Sequence, residues 1–460
     1  MFAVSELGAR VGELWVIDVT RAATGDVPPC DGSSTACLRL TSTFPTTSAA
    51  FFNGDTLTYG SGDLPNPGQD YVGPIFAWRP GWSRGRQISS DRGITCGGQR
   101  RSSAASCLDD PGGDPQKRDS AAVRVGTLLD EAGGLLPSIG RFPLRNDSNS
   151  AWQSGFSPDG ATYVLSTTDL PGAKQTLRTM ATAAAEQASL STRLEDIDYW
   201  TLSNDGQRIY FIRVLDQRTD LFVASFPSGE NVTKLDEGIR SYGLLGDRPE
   251  DRAMRYIKDQ GTGQRSYRLI AEPDAAAKTI FDFSDILEGA RTSQDLRYTA
   301  WLNFEFRGAV VRTSDLSTCL INEPGEPPVH DPAFLDHAGL MFWRQYSLED
   351  STRSDAYYAA PDGCRSKRLL APGVEFVIPV GDEGVLFAAE SEEAPQTNTL
   401  RYWAATSDGS SLVPAGPVLI QAGVNRPPVF VGEAPYLLLV NVETTDPDAA
   451  GTYVFGPVPL

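Results

Sequence analysis

The sequence predicts an all-β protein made of a repeated four-stranded antiparallel unit, and three observations lead to this prediction. A short β-run, a tight turn and an alternating apolar strand recur along the chain. The recurrent turns lie about 44 to 48 residues apart. Glycine and proline, 44 and 32 of the 460 residues, are frequent enough to end strands at every copy. A four-stranded unit at this period is typical of a β-propeller blade, because a blade buries both faces only by stacking on its neighbours.

The clearest copies of the repeat are FSPDGATYVLSTTD at 156–169 and LSNDGQRIYFIRV at 202–214. Asp and Gly have a turn role in both copies, since Asp caps its own backbone and Gly accepts a positive φ. A second alternating strand follows, such as TDLFVASF at 219–226, and then a short final strand, such as NVTKLDE at 231–237. Weaker copies lie at 51–62, 251–259, 293–305, 334–345, 379–391 and 430–441.

These copies predict one β-propeller domain over 1–460 with eight blades, and seven or nine blades stay open. The N-terminal and C-terminal strands are expected to pair and close the ring, because closure removes exposed strand edges. Residues 91–148 are expected to form a long surface loop between blades, while 122–140 alternates like two strands and would also fit half a blade. An array of two-sheet sandwiches is the alternative, but it would not keep so even a period.

The two clearest copies resemble the TolB-type propeller repeat, which also builds the propellers of the prolyl-oligopeptidase group. The resemblance is sharp at 150–240 and diffuse elsewhere, and its S-P-D-G turn carries no catalytic information. TolB-like propellers work outside the cytoplasm through protein contacts, so the resemblance implies such contacts. The N-terminal domain of TolB proper and the hydrolase domain of the oligopeptidases have no counterpart in the sequence. The resemblance therefore implies neither a TolB-type envelope role nor peptidase activity.

The six cysteines predict a framework of three disulfides. Two pairs are local, and the remaining two cysteines form the third pair; the pairs are Cys30–Cys37, Cys96–Cys107 and Cys319–Cys364. Disulfides favour an oxidising compartment, whereas the alternative is six free thiols in a cytosolic protein. The sequence has no C-x-x-C motif and only two histidines, so we expect no zinc site.

Charge and hydropathy narrow the classes of partner. A net charge of −19 argues against nucleic acid, because phosphates would repel the chain. The longest apolar runs are too short to span a bilayer, and the N-terminus lacks the basic and apolar regions of a signal peptide. A removed leader with a lipid anchor stays open, as does the oligomeric state. We expect the protein to be periplasmic, at the cell surface or secreted.

Residues 81–85, GWSRG, match the G-x-S-x-G pattern of a nucleophile elbow, with Ser83 as the candidate nucleophile. An elbow requires a strand before the serine and a helix after it. The surrounding FAWRPGWSRGRQIS is typical of a hairpin inside a blade, and no long βαβ stretch follows. We therefore predict a turn here and no catalytic residue.

The two histidines, His330 and His337, each lie beside an aspartate in VHDPAFLDHAG. His337 occupies the position of the P-D-G turn, so it is expected to be exposed at the end opposite His330. That separation argues against a metal site formed by the two. His330 precedes a first strand and is a candidate for the mouth of the axial channel.

No cofactor is expected, with structural calcium as an open alternative. Its candidates are acidic groups, for which a solvated surface is the favoured interpretation. These groups are Asp216 with Asp220, Glu195 with Asp196 and Asp198, and Asp446 with Asp448.

Aromatic and arginine side chains recur where first strands begin, and the first strands of a propeller line its axis. Such residues would surround one channel mouth and offer a docking surface. Packing between blades is the alternative role for the Trp and Tyr residues among them. The candidate binding residues are Trp152, Tyr199, Trp200, Arg240, Tyr242, His330, Asp331 and Arg426.

The predicted function is a non-enzymatic binding or scaffold propeller that makes protein–protein contacts in the periplasm, envelope or cell surface. It follows from the missing catalytic constellation, the scarcity of histidine and the TolB-like resemblance. The alternative is a hydrolase or lyase that processes glycans or peptides at the channel mouth, using paired carboxylates or His330. A sensor domain from a longer chain is a third interpretation.

Overall fold

The computed structural model describes most of the chain. The described residues are 2–5, 11–17, 37–45, 51–53, 56–62, 72–99, 102–109, 120–143, 153–167, 174–184, 190–215, 218–246, 248–261, 263–272, 275–283, 287–303, 305–335, 338–346, 354–380, 384–390, 398–409, 411–415, 429–431, 437–442 and 451–455. Within these ranges the chain forms ten antiparallel sheets, eight with four strands and two with three, and each sheet takes its strands in chain order.

The sheets are numbered along the chain. Sheet 1 contains β1 (Phe2–Ser5), β2 (Val11–Ile17) and β3 (Cys37–Pro45); sheet 2 contains β4 (Phe51–Asn53), β5 (Thr56–Gly60), β6 (Ile75–Trp78) and β7 (Arg86–Gln87). Sheet 3 contains β8 (Gly93–Gly98), β9 (Ala104–Asp109), β10 (Ser120–Thr127) and β11 (Ser138–Pro143); sheet 4 contains β12 (Gln153–Phe156), β13 (Thr162–Thr167), β14 (Gln175–Ala181) and β15 (Ser191–Ile197). Sheet 5 contains β16 (Tyr199–Leu202), β17 (Arg208–Leu215), β18 (Arg218–Ser225) and β19 (Thr233–Glu237).

The later sheets follow the same plan. Sheet 6 contains β20 (Ile239–Leu244), β21 (Met254–Gly261), β22 (Gln264–Ile270) and β23 (Lys278–Phe283); sheet 7 contains β24 (Leu287–Thr292), β25 (Tyr298–Asn303), β26 (Gly308–Arg312) and β27 (Thr318–Leu320). Sheet 8 contains β28 (Val329–Leu335), β29 (Leu340–Tyr346), β30 (Ser354–Ala359) and β31 (Arg368–Ala371); sheet 9 contains β32 (Val374–Val380), β33 (Gly384–Glu390), β34 (Asn398–Ala405) and β35 (Leu412–Pro414). Sheet 10 contains β36 (Val429–Val431), β37 (Leu437–Val442) and β38 (Gly451–Phe455). Short 3-10 turns lie at Thr182–Ala184 and Pro361–Gly363.

The chain divides into two compact units at sheet 6. The first unit contains 1–239 and 247–252, and the second contains 240–246 and 253–460. Sheets 1 to 5 belong to the first unit, and sheets 7 to 10 belong to the second. The prediction of a single domain over 1–460 stays a prediction.

The cores of both units are built from apolar residues that alternate along the strands and meet the next sheet. In the first unit, Val164 of sheet 4 and Phe211 of sheet 5 share one buried cluster. In the second unit, Trp343 of sheet 8 shares a cluster with Val310 of sheet 7. Every second side chain of a strand points to the same face, so a sheet that lies between two others buries one row of side chains on each face. This confirms the sequence argument that a single repeat cannot bury its own apolar surface.

The predicted turns between first and second strands are confirmed where they are described. In sheet 5, Ser203 Oγ donates to Asp205 Oδ1 at 2.6 Å. Asp205 Oδ1 also accepts the Gln207 N–H at 3.0 Å. The Arg208 N–H donates to Ser203 Oγ at 2.9 Å, which closes the turn. Gly206 adopts φ 67°, as the turn chemistry predicts. The equivalent turns of sheets 4 and 7 begin at Ser157 and Ser293.

The described residues of 91–148 form sheet 3 and not a long surface loop, and the alternative that 122–140 contributes two strands agrees with β10 and β11. In β10 the side chains of Ala121, Val123 and Val125 are fully buried, and Tyr163 of sheet 4 packs in the same cluster. The apolar alternation of a strand is therefore present at 120–127. It was outweighed by the glycine-rich and polar residues that surround the two cysteines of this region.

The terminal strands form two separate three-stranded sheets, sheet 1 and sheet 10, rather than one shared sheet. The chain therefore has eight complete four-stranded sheets among its described residues, the same number as the predicted blades. One of them is the unexpected sheet 3, while the terminal strands contribute no complete sheet. Closure of the ring by the two ends stays a prediction.

Two of the three predicted disulfides are confirmed. Cys96 of β8 is bonded to Cys107 of β9, and Cys319 of β27 is bonded to Cys364. Cys37 is also disulfide-bonded, while its predicted partner Cys30 lies outside the described residues.

Among the described residues, no helix has the length and apolar character needed to cross a membrane.

Candidate functional site

The candidate site lies at one end of the sheets in the second unit. In an antiparallel sheet, the first strand begins where the second strand ends and the third begins. We call this the starting end and the opposite one the turn end. His330 and Asp331 are the second and third residues of β28, and Tyr346 is the last residue of β29, so all three lie at the starting end of sheet 8.

Three rings meet at this position. The His330 ring stacks on Phe306, with centroids 4.4 Å apart and planes inclined by 26°. It meets the ring of Tyr346 edge-on, with centroids 4.5 Å apart. Phe306 comes from the turn between β25 and β26, which is the starting end of sheet 7. The three rings are half-buried, so together they form a surface that is apolar and partly open.

An ion pair borders the rings. Arg344 Nη2 lies 2.5 Å from Asp331 Oδ2, and Arg344 Nε donates to the same oxygen at 3.1 Å. Arg344 Nη1 donates to the carbonyl oxygen of Glu375 in sheet 9, while its guanidinium lies 5.6 Å from the Tyr346 ring centroid. The arginine side chain is 15% exposed, whereas that of Asp331 is 59% exposed. The guanidinium is thus held in place from sheets 8 and 9, and the carboxylate faces solvent.

A change in strand geometry aims Asp331 outward. The pairing of β28 with β29 shifts register between His330 and Ala333, and Asp331 adopts φ 50°. A bulge of this kind re-aims side chains and is frequent beside functional sites. Asp is one of the residue types that tolerate the left-handed region best.

The environment favours the neutral form of His330. Burial lowers the pKa of the His330 imidazole below its ordinary value; the Asp331 carboxylate works against this shift, and Arg344 adds to it. Two N–H groups of Arg344 donate to one oxygen of Asp331, Oδ2. The neutral imidazole lies between two aromatic rings, with which it makes ring contacts.

His330 and Asp331 are adjacent in β28, and the other predicted site residues that the structure describes belong to sheets 5 and 6. Tyr199 and Trp200 begin β16 in the first unit, where Tyr199 is 45% exposed and Trp200 is 7% exposed. Trp200 packs with Ile209 and Phe211, so for this residue the packing alternative holds. Arg240 and Tyr242 lie in β20, with Arg240 exposed and Tyr242 half-buried. Trp152, His337 and Arg426 lie outside the described residues.

Sequence reasoning missed Phe306, Arg344 and Tyr346. The last two lie in LMFWRQY, at the end of a second strand, and the antiparallel register places that end beside the beginning of the first strand. Phe306 had no comparable signal, because it reaches the cluster from the preceding sheet.

Residues 81–85 lie between β6 and β7, which pair antiparallel, so the segment is part of a hairpin. The Ser83 hydroxyl donates to the Glu131 carboxylate at 3.0 Å, and the Ser83 N–H donates to the same group at 2.6 Å. These bonds hold the pKa of Glu131 below its ordinary value, chiefly through the Ser83 backbone. The partner of the Ser83 hydroxyl in the described part of the chain is thus a carboxylate.

Two of the acidic residues considered for calcium binding, Asp220 and Asp198, instead make ion pairs or hydrogen bonds within the protein. Asp220 is buried rather than solvated, and it lies 2.9 Å from both Arg218 and Lys234. Asp198 Oδ2 accepts the Val214 N–H at 2.9 Å. Asp216, Asp446 and Asp448 lie outside the described residues. Over the described part of the chain, no group of three or more His, Cys, Asp or Glu residues is placed to hold a metal ion.

Comparisons with known proteins define the class of the fold. A crystal structure described as that of the eukaryotic initiation factor is similar, with a TM-score of 0.52 and 10% identity over 89% of this chain and 94% of that one. Dipeptidyl peptidase 4 of Porphyromonas gingivalis gives a TM-score of 0.44 and 10% identity over 86% of this chain and 64% of that one. Oligopeptidase B of Leishmania major gives a TM-score of 0.39 and 11% identity over 78% of this chain and 53% of that one. No family model and no curated protein matches the sequence.

The chain has a β-propeller fold, as the sequence predicts. At this level of identity the likeness concerns the fold alone.

Proposed function

We propose that this β-propeller is a non-enzymatic binding module that recognises a protein partner. The observation that carries the proposal is the cluster of Phe306, His330 and Tyr346 beside the Arg344–Asp331 ion pair. Aromatic and arginine side chains held in fixed positions are the groups that contribute most energy at protein interfaces.

The chemistry of the cluster favours contact over catalysis. Its arginine is already hydrogen-bonded to Asp331 and to the Glu375 carbonyl, so it is preorganised and loses little side-chain freedom on binding. The Asp331 carboxylate that follows His330 in β28 is paired with Arg344 through Oδ2. A hydrolase acting at the same position would need a carboxylate that orients the imidazole, or paired carboxylates.

Two further observations support the same proposal. The disulfides at Cys96–Cys107 and Cys319–Cys364 are compatible with work outside the cytoplasm, in the periplasm, at the cell surface or after secretion. The FSPDG and LSNDG segments, which resemble the TolB-type repeat, form turns in which an aspartate accepts a backbone N–H. Proteins with that repeat act through protein contacts, and we propose the same mode here.

A photo-cross-linking experiment tests the proposal. Benzoylphenylalanine is placed at Tyr346 in one sample and at Tyr199 in another, and each chain is incubated with the extracytoplasmic fraction of its host and irradiated. We expect the same protein to be linked in stoichiometric yield at Tyr346 and not at Tyr199. Affinity of that partner for Phe306→Ala should fall at least tenfold, or about 1.4 kcal/mol, with Tyr199→Ala as the matched control.

Two outcomes would overturn this function. One is equal affinity of the wild-type chain and Phe306→Ala for every linked protein. The other is turnover of a peptide or glycan by the purified chain that disappears in His330→Ala, provided that the variant melts at the wild-type temperature. The second result would establish the hydrolase alternative.

A further inference from the structure

The ion pair beside the three rings leaves part of its carboxylate open. Both hydrogen bonds from Arg344 end on Asp331 Oδ2. Asp331 Oδ1 accepts no hydrogen bond from the residues that the structure describes, and the Asp331 side chain is 59% exposed. An ionised carboxylate accepts about four hydrogen bonds. Asp331 can therefore accept further donors from a partner while Arg344 stays bound to Oδ2.

A second exposed carboxylate belongs to the residue whose carbonyl holds Arg344. Arg344 Nη1 donates to the Glu375 carbonyl oxygen at 2.6 Å, so the two residues are neighbours. Glu375 is the second residue of β32 and is exposed, whereas Val374 before it is buried. Its carboxylate forms no ion pair with the described part of the chain. Glu375 therefore adds an unbalanced negative charge next to Arg344.

The charges beside the rings do not cancel. Asp331 and Glu375 contribute two exposed carboxylates, while Arg344 contributes one guanidinium that is only 15% exposed. Glu305 and Arg307, which flank Phe306 in the chain, form an ion pair with each other at 2.8 Å. The whole chain carries a net charge of −19. The surface around the rings therefore attracts a cation.

Arg344 shows which cation suits this combination of groups. Its guanidinium lies 5.6 Å from the Tyr346 ring centroid while it donates to Asp331. The first unit has a related arrangement, in which the Arg213 guanidinium lies 5.2 Å from the Phe211 ring centroid. A planar guanidinium can stack on a ring and donate hydrogen bonds at the same time, whereas the ammonium of lysine is a compact point charge. Aromatic rings beside a carboxylate are therefore better suited to arginine than to lysine.

We propose that the rings of Phe306, His330 and Tyr346 receive an arginine side chain of the protein partner, and that Asp331 Oδ1 accepts its N–H groups. This inference rests on the proposed function, because it names what the partner presents to that site. The partner's guanidinium stacks on the half-buried rings, and the charge of Glu375 adds to the attraction. The site thus favours partners that expose arginine over neutral or acidic ones.

N-acetylarginine amide serves as the probe, and N-acetylcitrulline amide, which has nearly the same shape but no charge, is the control. The full chain is labelled with carbon-13 at Cε1 of its 2 histidines, and His330→Phe identifies the His330 signal in the NMR spectrum. We expect a saturable shift of this signal, with an affinity for the arginine amide roughly fivefold above that for the citrulline amide. N-acetyllysine amide should bind about twofold more weakly than the arginine amide.

Two substitutions separate Asp331 from the general negative charge of the chain. Asp331→Asn keeps the side-chain shape and should lower the affinity for the arginine amide roughly fivefold. Asp282→Asn is the matched control, because Asp282 is an exposed aspartate of β23 that also accepts a side-chain hydrogen bond, from Gln260. It removes the same charge and should leave the affinity unchanged.

Three results would overturn the proposal. These are equal affinity for the arginine and citrulline amides, equal affinity for the arginine and lysine amides, and equal affinity of wild type and Asp331→Asn for the arginine amide. The first two are measured on the wild-type chain, so they do not depend on how well a variant folds.

The cross-linking result at Tyr346 is independent of these measurements. If a protein is linked at Tyr346 and binds Phe306→Ala more weakly, the proposed binding function stands even when arginine is not preferred. In that case only the assignment of arginine fails. If the chain neither links a protein at Tyr346 nor prefers the arginine amide, both the function and the inference fail.

Discussion

Two turns of the molecule, one in each unit, share a hydrogen-bond pattern but differ at the residue with positive φ. In the first unit, Ser203, Asp205 and Arg208 form the turn, and Gly206 adopts φ 67°. In the second unit, the corresponding residues from Ser293 to Tyr298 form the same bonds at 2.8 and 2.9 Å. There Leu296 takes the glycine position with φ 61°.

The comparison shows that the Ser and Asp side chains set the turn and that glycine only lowers its cost. A leucine in the left-handed region costs roughly 1–2 kcal/mol, yet the hydrogen bonds around Asp295 still form. In sheet 5 a second effect also favours glycine, since a Cβ on Gly206 would lie 2.9 Å from Pro158 Cδ of the neighbouring turn. Both turns therefore share the Ser and Asp hydrogen bonds, and they differ in how much space is open to a side chain at the residue with positive φ.

The largest expected effect comes from filling the space at Gly206. Gly206→Ala should lower the free energy of unfolding by roughly 2–3 kcal/mol, from backbone strain and contact with Pro158. The control is Gly339→Ala, where φ is 62° and an added Cβ meets no atom within 4 Å. It should lose only about 1–2 kcal/mol in urea unfolding. Equal losses in the two variants would show that the proline ring gives way freely.

A smaller effect should follow removal of a turn carboxylate, and it should depend on pH. Burial raises the pKa of Asp205, but hydrogen bonds from Ser203 and Gln207 and the charge of Arg252 outweigh it, so the folded pKa lies below the ordinary value. The ionised group therefore stabilises the fold above the pKa of the unfolded chain, and this contribution is lost as pH falls through the folded pKa.

Asp205→Asn should accordingly cost about 1 kcal/mol at neutral pH, and the difference from wild type should vanish in strong acid. Urea unfolding across the acidic range measures it, with Asp295→Asn as the matched variant of the second unit, since its carboxyl pKa is also lowered despite burial. A pH-independent difference would mean that the amide disturbs packing rather than charge.

The smallest effect is expected at Leu296. Leu296→Gly relieves the left-handed strain but removes a half-buried side chain that packs against the cluster of Tyr267 and Ile280. The two contributions are each about 1 kcal/mol, so stability should change by less than about 0.5 kcal/mol. Leu296→Ala keeps the strain and loses the contact, so it should be destabilised by about 1 kcal/mol. If thermal unfolding showed Leu296→Gly to be no more stable than Leu296→Ala, the strain argument would be contradicted.

The sequence predicted the repeat well because its signals are local. An alternating strand and an Asp-Gly turn lie within about fourteen residues at 156–169, so sterics and hydrogen bonding act inside one short segment. The first half of sheet 3 escaped prediction because its two strands, Gly93–Gly98 and Ala104–Asp109, are rich in Gly, Ser and Ala.

The candidate site was predicted only in part. His330 and Asp331 stand out in the sequence because one of only two histidines is followed directly by a carboxylate. Phe306 and Arg344 become their neighbours only through contacts between sheets 7, 8 and 9, and these contacts depend on register shifts that no local pattern encodes.

The Cys319–Cys364 bond spans 45 residues, close to one repeat, and links β27 of sheet 7 to the residue that follows the short turn after β30 of sheet 8. In repeat proteins, neighbouring units open separately unless their interface couples them. A covalent bond across that interface makes the opening of either sheet a shared event. We therefore expect sheets 7 and 8 to open as one cooperative unit, with a common free energy of opening for the amide protons in their cores.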